Sequence, residues 1–239
     1  MTESDEPIDP VEAEMNSALA EMEAAALELD RHHAIVDDLF DWLEFAEKIQ
    51  AAIEGFQVRV SRVPLLLAVM TEEADWHFLR GSQYCAVMGA YERFVHEVFE
   101  LMIFRDDHFE MVRNVLANDW PKNDKHQQHI VLSGLKKKTI ETMSRVELAE
   151  VFRNTTLNDA TRIASSVEKL FDLKFPVPQS FEKVCAIRNV FTHNAGVLAD
   201  GQLQPLSRAD VCQLIKEIDD LVAIYAKALE HKAEVATGI

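Results

Sequence analysis

The chain has 239 residues, 48% of them hydrophobic and 27% charged, with only seven Gly and seven Pro; it is long enough to bury a sizeable core and has the composition of a helix-rich globular protein. A net charge of −17 argues against a broad phosphate-binding surface, and so against DNA as a partner. The acidity is uneven, however: residues 1–60 hold 16 acidic and 3 basic side chains and the remainder 25 and 21, which leaves room for a compact site needing a few well-placed cations.

The longest apolar run, VPLLLAVM at 63–70, is far short of the ~20 residues of a membrane span. The opening MTESDEPIDP is acidic, unlike the basic start and apolar run of a signal peptide. Cys85, Cys185 and Cys212 are scattered and odd in number, as reduced thiols in a cytoplasm would be.

In chain order, residues 1–9 read as a disordered acidic tail. From Pro10 to about residue 60, apolar residues recur at three- and four-residue spacing in an Ala/Glu/Leu-rich background. This predicts one or two long helices, an acidic extension beside a main domain at 61–239. The alternation in FQVRVSRVP predicts a short extended link. Residues 76–103 predict a second long helix, and FEMVRNVLAN a short one ending before Pro121. IVLSGLKKKTIETMSRVELAEVF reads as continuous helix, followed by NDATRIASSVEKLFDL with Asn158 or Asp159 near its cap. After FPVP, Ser180 is the predicted cap of FEKVCAIRNVFTHN, stopped by Asn194-Ala195-Gly196. Ser207 and Asp210 resemble a capping box opening a last helix to about residue 232. The expected fold class is all-α.

The segment IRNVFTHNAG at 187–196 carries the chemistry. On a helical wheel, Val184, Ile187, Val190 and Phe191 form the core face, and Arg188, Thr192, Cys185, Asn189 and His193 lie opposite. Arg188 and His193, five positions apart, bracket a polar strip about 140° wide. Histidine exchanges protons near neutral pH, and arginine stays charged and matches a phosphate with two parallel hydrogen bonds. Asparagine can orient either. The negative end of the helix dipole favours a protonated His193 and disfavours phosphate, so attraction falls to Arg188. The plain alternative is a solvated polar face ending in a surface histidine.

This segment, Arg188-Asn189-Val-Phe-Thr-His193 followed by Asn194-Ala-Gly196, resembles the HEPN superfamily, and looks like the RN-x3-H-N-x-G form common among RiboL-PSP-type and related HEPN proteins. AYERFVHEVF, with Glu92, and a short helix ending in LFDL precede it in a similar order. The resemblance covers about residues 60–235 and leaves the acidic extension outside. It implies a HEPN-like helical bundle and a metal-independent endoribonuclease without cofactor. His193 would be general acid or base around the 2′-hydroxyl, and Arg188 would bind the scissile phosphate. Asn189 would position it, with Glu92 and Asn194 as auxiliary residues. It also implies an RNA substrate, a homodimer facing two motif helices across a cleft, and a toxin–antitoxin or antiphage setting with an antitoxin or regulatory partner. Some HEPN toxins carry Tyr two residues after the His; here that residue is Ala195. The alternative is an inactive HEPN-like interaction module whose acidic helices dock a basic partner or mask the cleft.

Other candidates read more plainly. His126 and His129 have a spacing seen at metal sites but lack companions, so they read as a polar helix start and no metal is expected. His32-His33 and Lys136–Lys138 read as solvated surface, the latter with an RNA-guiding role as the sharper option. Cys185 shares the polar strip but has no thiol-activating base nearby in sequence.

Overall fold

The computed structural model describes residues 10–71, 73, 76–119, 137–157 and 159–237. Among them the expected all-α class holds: the segments are helices joined by turns, with one isolated bridge between Val197 and Leu203. Among the described residues no helix is long and apolar enough to cross a membrane. The 1–9 tail, His126, His129, Lys136, the side chains of Lys137 and Lys138, and Asn158 lie outside what is described.

Helix α1 runs unbroken over Pro10–Val60. The chain divides within it into two compact units, residues 1–44 and 45–239. In the first, side chains at 14–38 are exposed. In the second, Phe45, Ile49, Ala52, Phe56 and Val60 are buried at three- and four-residue intervals. Val63 and Leu67 continue that spacing on α2 (Arg62–Val69). The FQVRVSRVP stretch is therefore helical rather than extended. Its alternation is incidental: Val58 is exposed, while Phe56 and Val60, one turn apart, are buried.

Helix α3 (His77–Phe104) is the centre of the larger unit and packs against α2, α4 (Asp106–Asn114), α6 (Arg145–Arg153), α8 (Phe181–Asn194) and α9 (Arg208–Thr237). It buries residues on nearly every side, including Tyr91, Phe94 and Phe99, which is the pattern of a central helix. Phe99 meets Phe152 of α6 at 5.2 Å and Phe171 of α7 (Ala160–Phe171) at 5.3 Å between ring centroids. On α9, Tyr225 stacks on Phe175 at 3.9 Å and its hydroxyl lies 3.5 Å from that of Tyr91. Burial pushes the Tyr225 phenol up to about 12.

The helix expected through 130–152 is interrupted. After a π turn at Val115–Asp119 and the short α5 (Lys137–Glu141), the chain leaves the helix at 142–144. A capping box restarts it: Glu147 N–H donates to the Ser144 hydroxyl, and the Glu147 carboxylate accepts from Ser144 N–H at 2.8 Å. Asp159 caps α7, accepting from the N–H groups of Thr161 and Arg162. Ser207 and Asp210 form the expected box on α9, at 2.7 and 3.1 Å. Ser180, by contrast, does not cap α8: its backbone is already helical, and its hydroxyl donates to Glu217 on α9.

Candidate functional site

Helix α8 is held on α3 by one tight seam. Phe191 is buried over Gly81, where a Cβ would lie 1.9 Å from the ring, and beside Gly196 and His77. The His77 and Phe191 rings are 5.1 Å apart, and His77 Nε2 is 2.6 Å from the Gln204 carbonyl oxygen. Arg80, one turn along α3, is buried and donates to the carbonyls of Thr71, Glu73 and Leu206, tying the entry to α3 to the approach to α9. Neither His77 nor Arg80 is distinguishable in the sequence from an ordinary polar residue early in a helix.

The seam fixes what α8 presents. Val184 and Phe191 are buried as expected, while Ile187 and Val190 are half-covered. On the polar side Arg188 is half-buried, with 21% of its side chain exposed, and lies beside Glu92 of α3 at 3.9 Å. It also donates to the Asn189 side-chain oxygen at 3.2 Å. Glu92 is itself anchored, because its other oxygen accepts the Leu157 N–H at 2.9 Å. Thr192 donates to the Arg188 carbonyl at 2.9 Å, with the Cys85 thiol 3.7 Å from its hydroxyl. Asn189, His193 and Asn194 are exposed.

The helix ends as the sequence indicates. Ala195 takes the left-handed conformation at φ 51°, and Gly196 follows at φ 84°. The N–H groups of both reach the Val190 carbonyl, closing the last turn. The chain then turns through the Val197–Leu203 bridge, leaving His193 and Asn194 on the surface. Arg188 thus stands at the inner edge of the strip and His193 at the outer edge, with Asn189 between them. Among the described residues the His193 ring has no hydrogen-bond partner.

The electrostatics around Arg188 involve α3 and α7 as well. Burial pushes the Cys185 thiol up to about 11, and the Asp159 carboxylate acts the same way, against the opposing pull of Arg188 and Arg162. A thiol so disposed stays protonated at neutral pH and is a poor nucleophile. His96, one turn after Glu92, has its pKa lowered by burial, against the raising effect of Glu92. A cavity of about 570 Å³ lies elsewhere, lined by Lys48, Arg59, Arg93, Glu97, Glu100 and Phe104 among others. Its charges are largely engaged: Arg59 and Arg93 both donate to Glu97, and Glu100 pairs with Arg153, which is not part of the lining. A second, of about 420 Å³, is bordered by His77, Arg80, Gln204 and Asp210. Neither includes Arg188 or His193.

No protein-family model, curated protein or solved structure matches this chain.

Proposed function

We propose that the chain is a HEPN-type ribonuclease that cleaves RNA at the α8 strip without a metal ion, and that it works as a homodimer. The observation that carries the reading is the pairing, on one open helix face, of a half-buried guanidinium steadied from a second helix with an exposed imidazole at the helix C-terminus. Arg188 takes the scissile phosphate and His193 moves the proton at the 2′-hydroxyl or the leaving oxygen. Asn189 holds the guanidinium, and Asn194 flanks the imidazole. Glu92 neutralises Arg188 in the resting state, but at 3.9 Å with both side chains partly exposed the pair contributes at most about 1 kcal/mol. A phosphate accepting two charge-assisted hydrogen bonds displaces it. An open strip on one subunit needs a facing wall, which the twofold mate of α8 supplies.

Expression of the wild type in cells should slow growth, and Arg188→Ala and His193→Ala should each relieve the effect while keeping the wild-type helical circular dichroism. Equal growth of all three contradicts the reading. That outcome leaves the alternative, a helical interaction module, which the exposed apolar residues of α1 favour.

A further inference from the structure

The first unit of the chain poses a physical problem that the strip on α8 does not address. Over residues 15–43, α1 exposes large apolar side chains along most of its length, with no described part of the unit covering them. Met15, Met22, Leu29, Val36 and Leu43 recur every seven residues. Leu19, Ala26, His33 and Phe40 occupy the intervening positions, four residues after each of the first four. Every residue of this stripe is exposed. A strict 4-3 alternation sustained over four heptads is the 3.5-residue period of a two-stranded coiled coil. The buried face of residues 45–60 does not sustain that alternation: its steps, from Phe45 through Ile49, Ala52 and Phe56 to Val60, run four, three, four and four.

The flanking residues select the partner and its direction. One flank of the seam carries Glu23, Asp30, Asp37 and Glu44; the other carries Ala18, Ala25, His32 and Leu39. Two antiparallel copies bring the acidic flanks together along the whole seam, which is repulsive. Two parallel copies set each acidic residue against the other flank of the mate, so that Asp30 meets Ala25, Asp37 meets His32 and Glu44 meets Leu39, with no like charges opposed. We infer that residues 15–43 form a parallel two-stranded coiled coil with a second copy of this chain, joining two larger units through a seam about 43 Å long. His33 is the polar member of the seam. In parallel register it faces its own counterpart, fixing the register at a cost in stability. The arm of residues 1–44 holds 14 acidic side chains and one basic, so the pair repels at long range and tightens as salt rises. A basic partner helix docked on the same face would weaken with salt instead.

This seam is independent of α8, and its test does not read RNA cleavage. The full chain, of 27.1 kDa, is expected to sediment as a species of twice that mass, with dissociation falling as sodium chloride is raised. The double variant Leu29→Asp, Val36→Asp is expected to sediment as the 27.1 kDa monomer with unchanged helical circular dichroism, since both side chains are exposed in the single chain. His33→Leu is expected to tighten the dimer at least tenfold. Direction is read by oxidised glutathione on a Cys212→Ser background: Met22→Cys should form an interchain disulfide, two thiols being oxidised as glutathione disulfide is reduced, and Leu27→Cys, off the seam, should not. A monomeric wild type overturns both this proposal and the homodimer of the α8 reading; a Leu29→Asp, Val36→Asp variant that remains dimeric overturns this proposal alone, places the dimer contact elsewhere and leaves the α8 reading standing. Cross-linking at Leu27→Cys but not at Met22→Cys overturns the register.

Discussion

Replacing Gly81 with alanine tests the contact on which the placement of Arg188 and His193 depends. A Cβ there would fall 1.9 Å from Cδ1 and 2.1 Å from Cε1 of Phe191, about half the distance of ordinary carbon–carbon contact. The ring cannot simply swing aside. It also packs closely on Gly196, where an added Cβ would fall 2.5 Å from Cε1, and the His77 ring lies 5.1 Å away between centroids. Alanine in a helix interior would otherwise gain about 1 kcal/mol over glycine. Overpacking of this severity costs about 3 kcal/mol, so the net expected loss is about 2 kcal/mol. The assay is urea unfolding followed by circular dichroism, in a double-mutant cycle with Phe191→Ala. Phe191→Ala alone should cost about 3–5 kcal/mol, and far less in the Gly81→Ala background, with coupling above about 1 kcal/mol. A Gly81→Ala protein as stable as wild type, or strictly additive effects, refutes the packing described for α8.

A chain beginning at residue 45 should keep a cooperative unfolding transition, whereas one beginning at 61 should not. The longer deletion removes buried Phe45, Ile49, Phe56 and Val60, each worth about 1.5–3 kcal/mol, a total comparable to the 5–15 kcal/mol by which a domain is stable. Ala195→Gly relieves a left-handed residue at the end of α8 and should raise stability by about 0.5–1 kcal/mol in chemical denaturation, glycine's greater unfolded-state freedom offsetting part of the gain. Ser207→Ala should cost about 1 kcal/mol at neutral pH through loss of the cap. The Ser207 hydroxyl and N–H hold the Asp210 carboxyl below its ordinary range. Its stabilising contribution is thus present above the unfolded pKa near 3.9 and is lost as pH falls through the lower folded value. The gap between wild type and Ser207→Ala should accordingly narrow in acid, down to the part due to the bond from the Asp210 N–H to the Ser207 hydroxyl; a gap that stays constant to low pH contradicts this.

How far the sequence foreshadows this structure depends on whether the deciding contact is local. The capping box at Ser207 and Asp210, the cap at Asp159 and the stop at Ala195-Gly196 rest on residues a few positions apart, and each is readable directly. The break at 142–144 has a similar local device in Ser144 and Glu147, obscured by apolar spacing that runs through it. Ser180 misleads because its hydroxyl is taken by Glu217, 37 residues away. FQVRV misleads because a period of two and a period of four coincide over five residues, and burial alone separates them. At the site, the order of residues around α8 follows from helical geometry. What required the fold is depth: that Glu92 of α3 reaches Arg188, that Leu157 anchors Glu92, and that His193 stands out while Arg188 is drawn in. The boundary between the two units falls inside a helix with no breaker, which composition does not mark.

The most direct measurement is the cleavage of a defined RNA oligonucleotide in excess EDTA by wild type, Arg188→Ala and His193→Ala, with the product ends identified by mass spectrometry. The wild type should cut, leaving 2′,3′-cyclic phosphate ends, and each variant should lose at least about a hundredfold in rate, the usual contribution of a positioned acid–base or charge-stabilising group. Absence of cleavage by the wild type, or cleavage that survives both substitutions, contradicts the proposed activity.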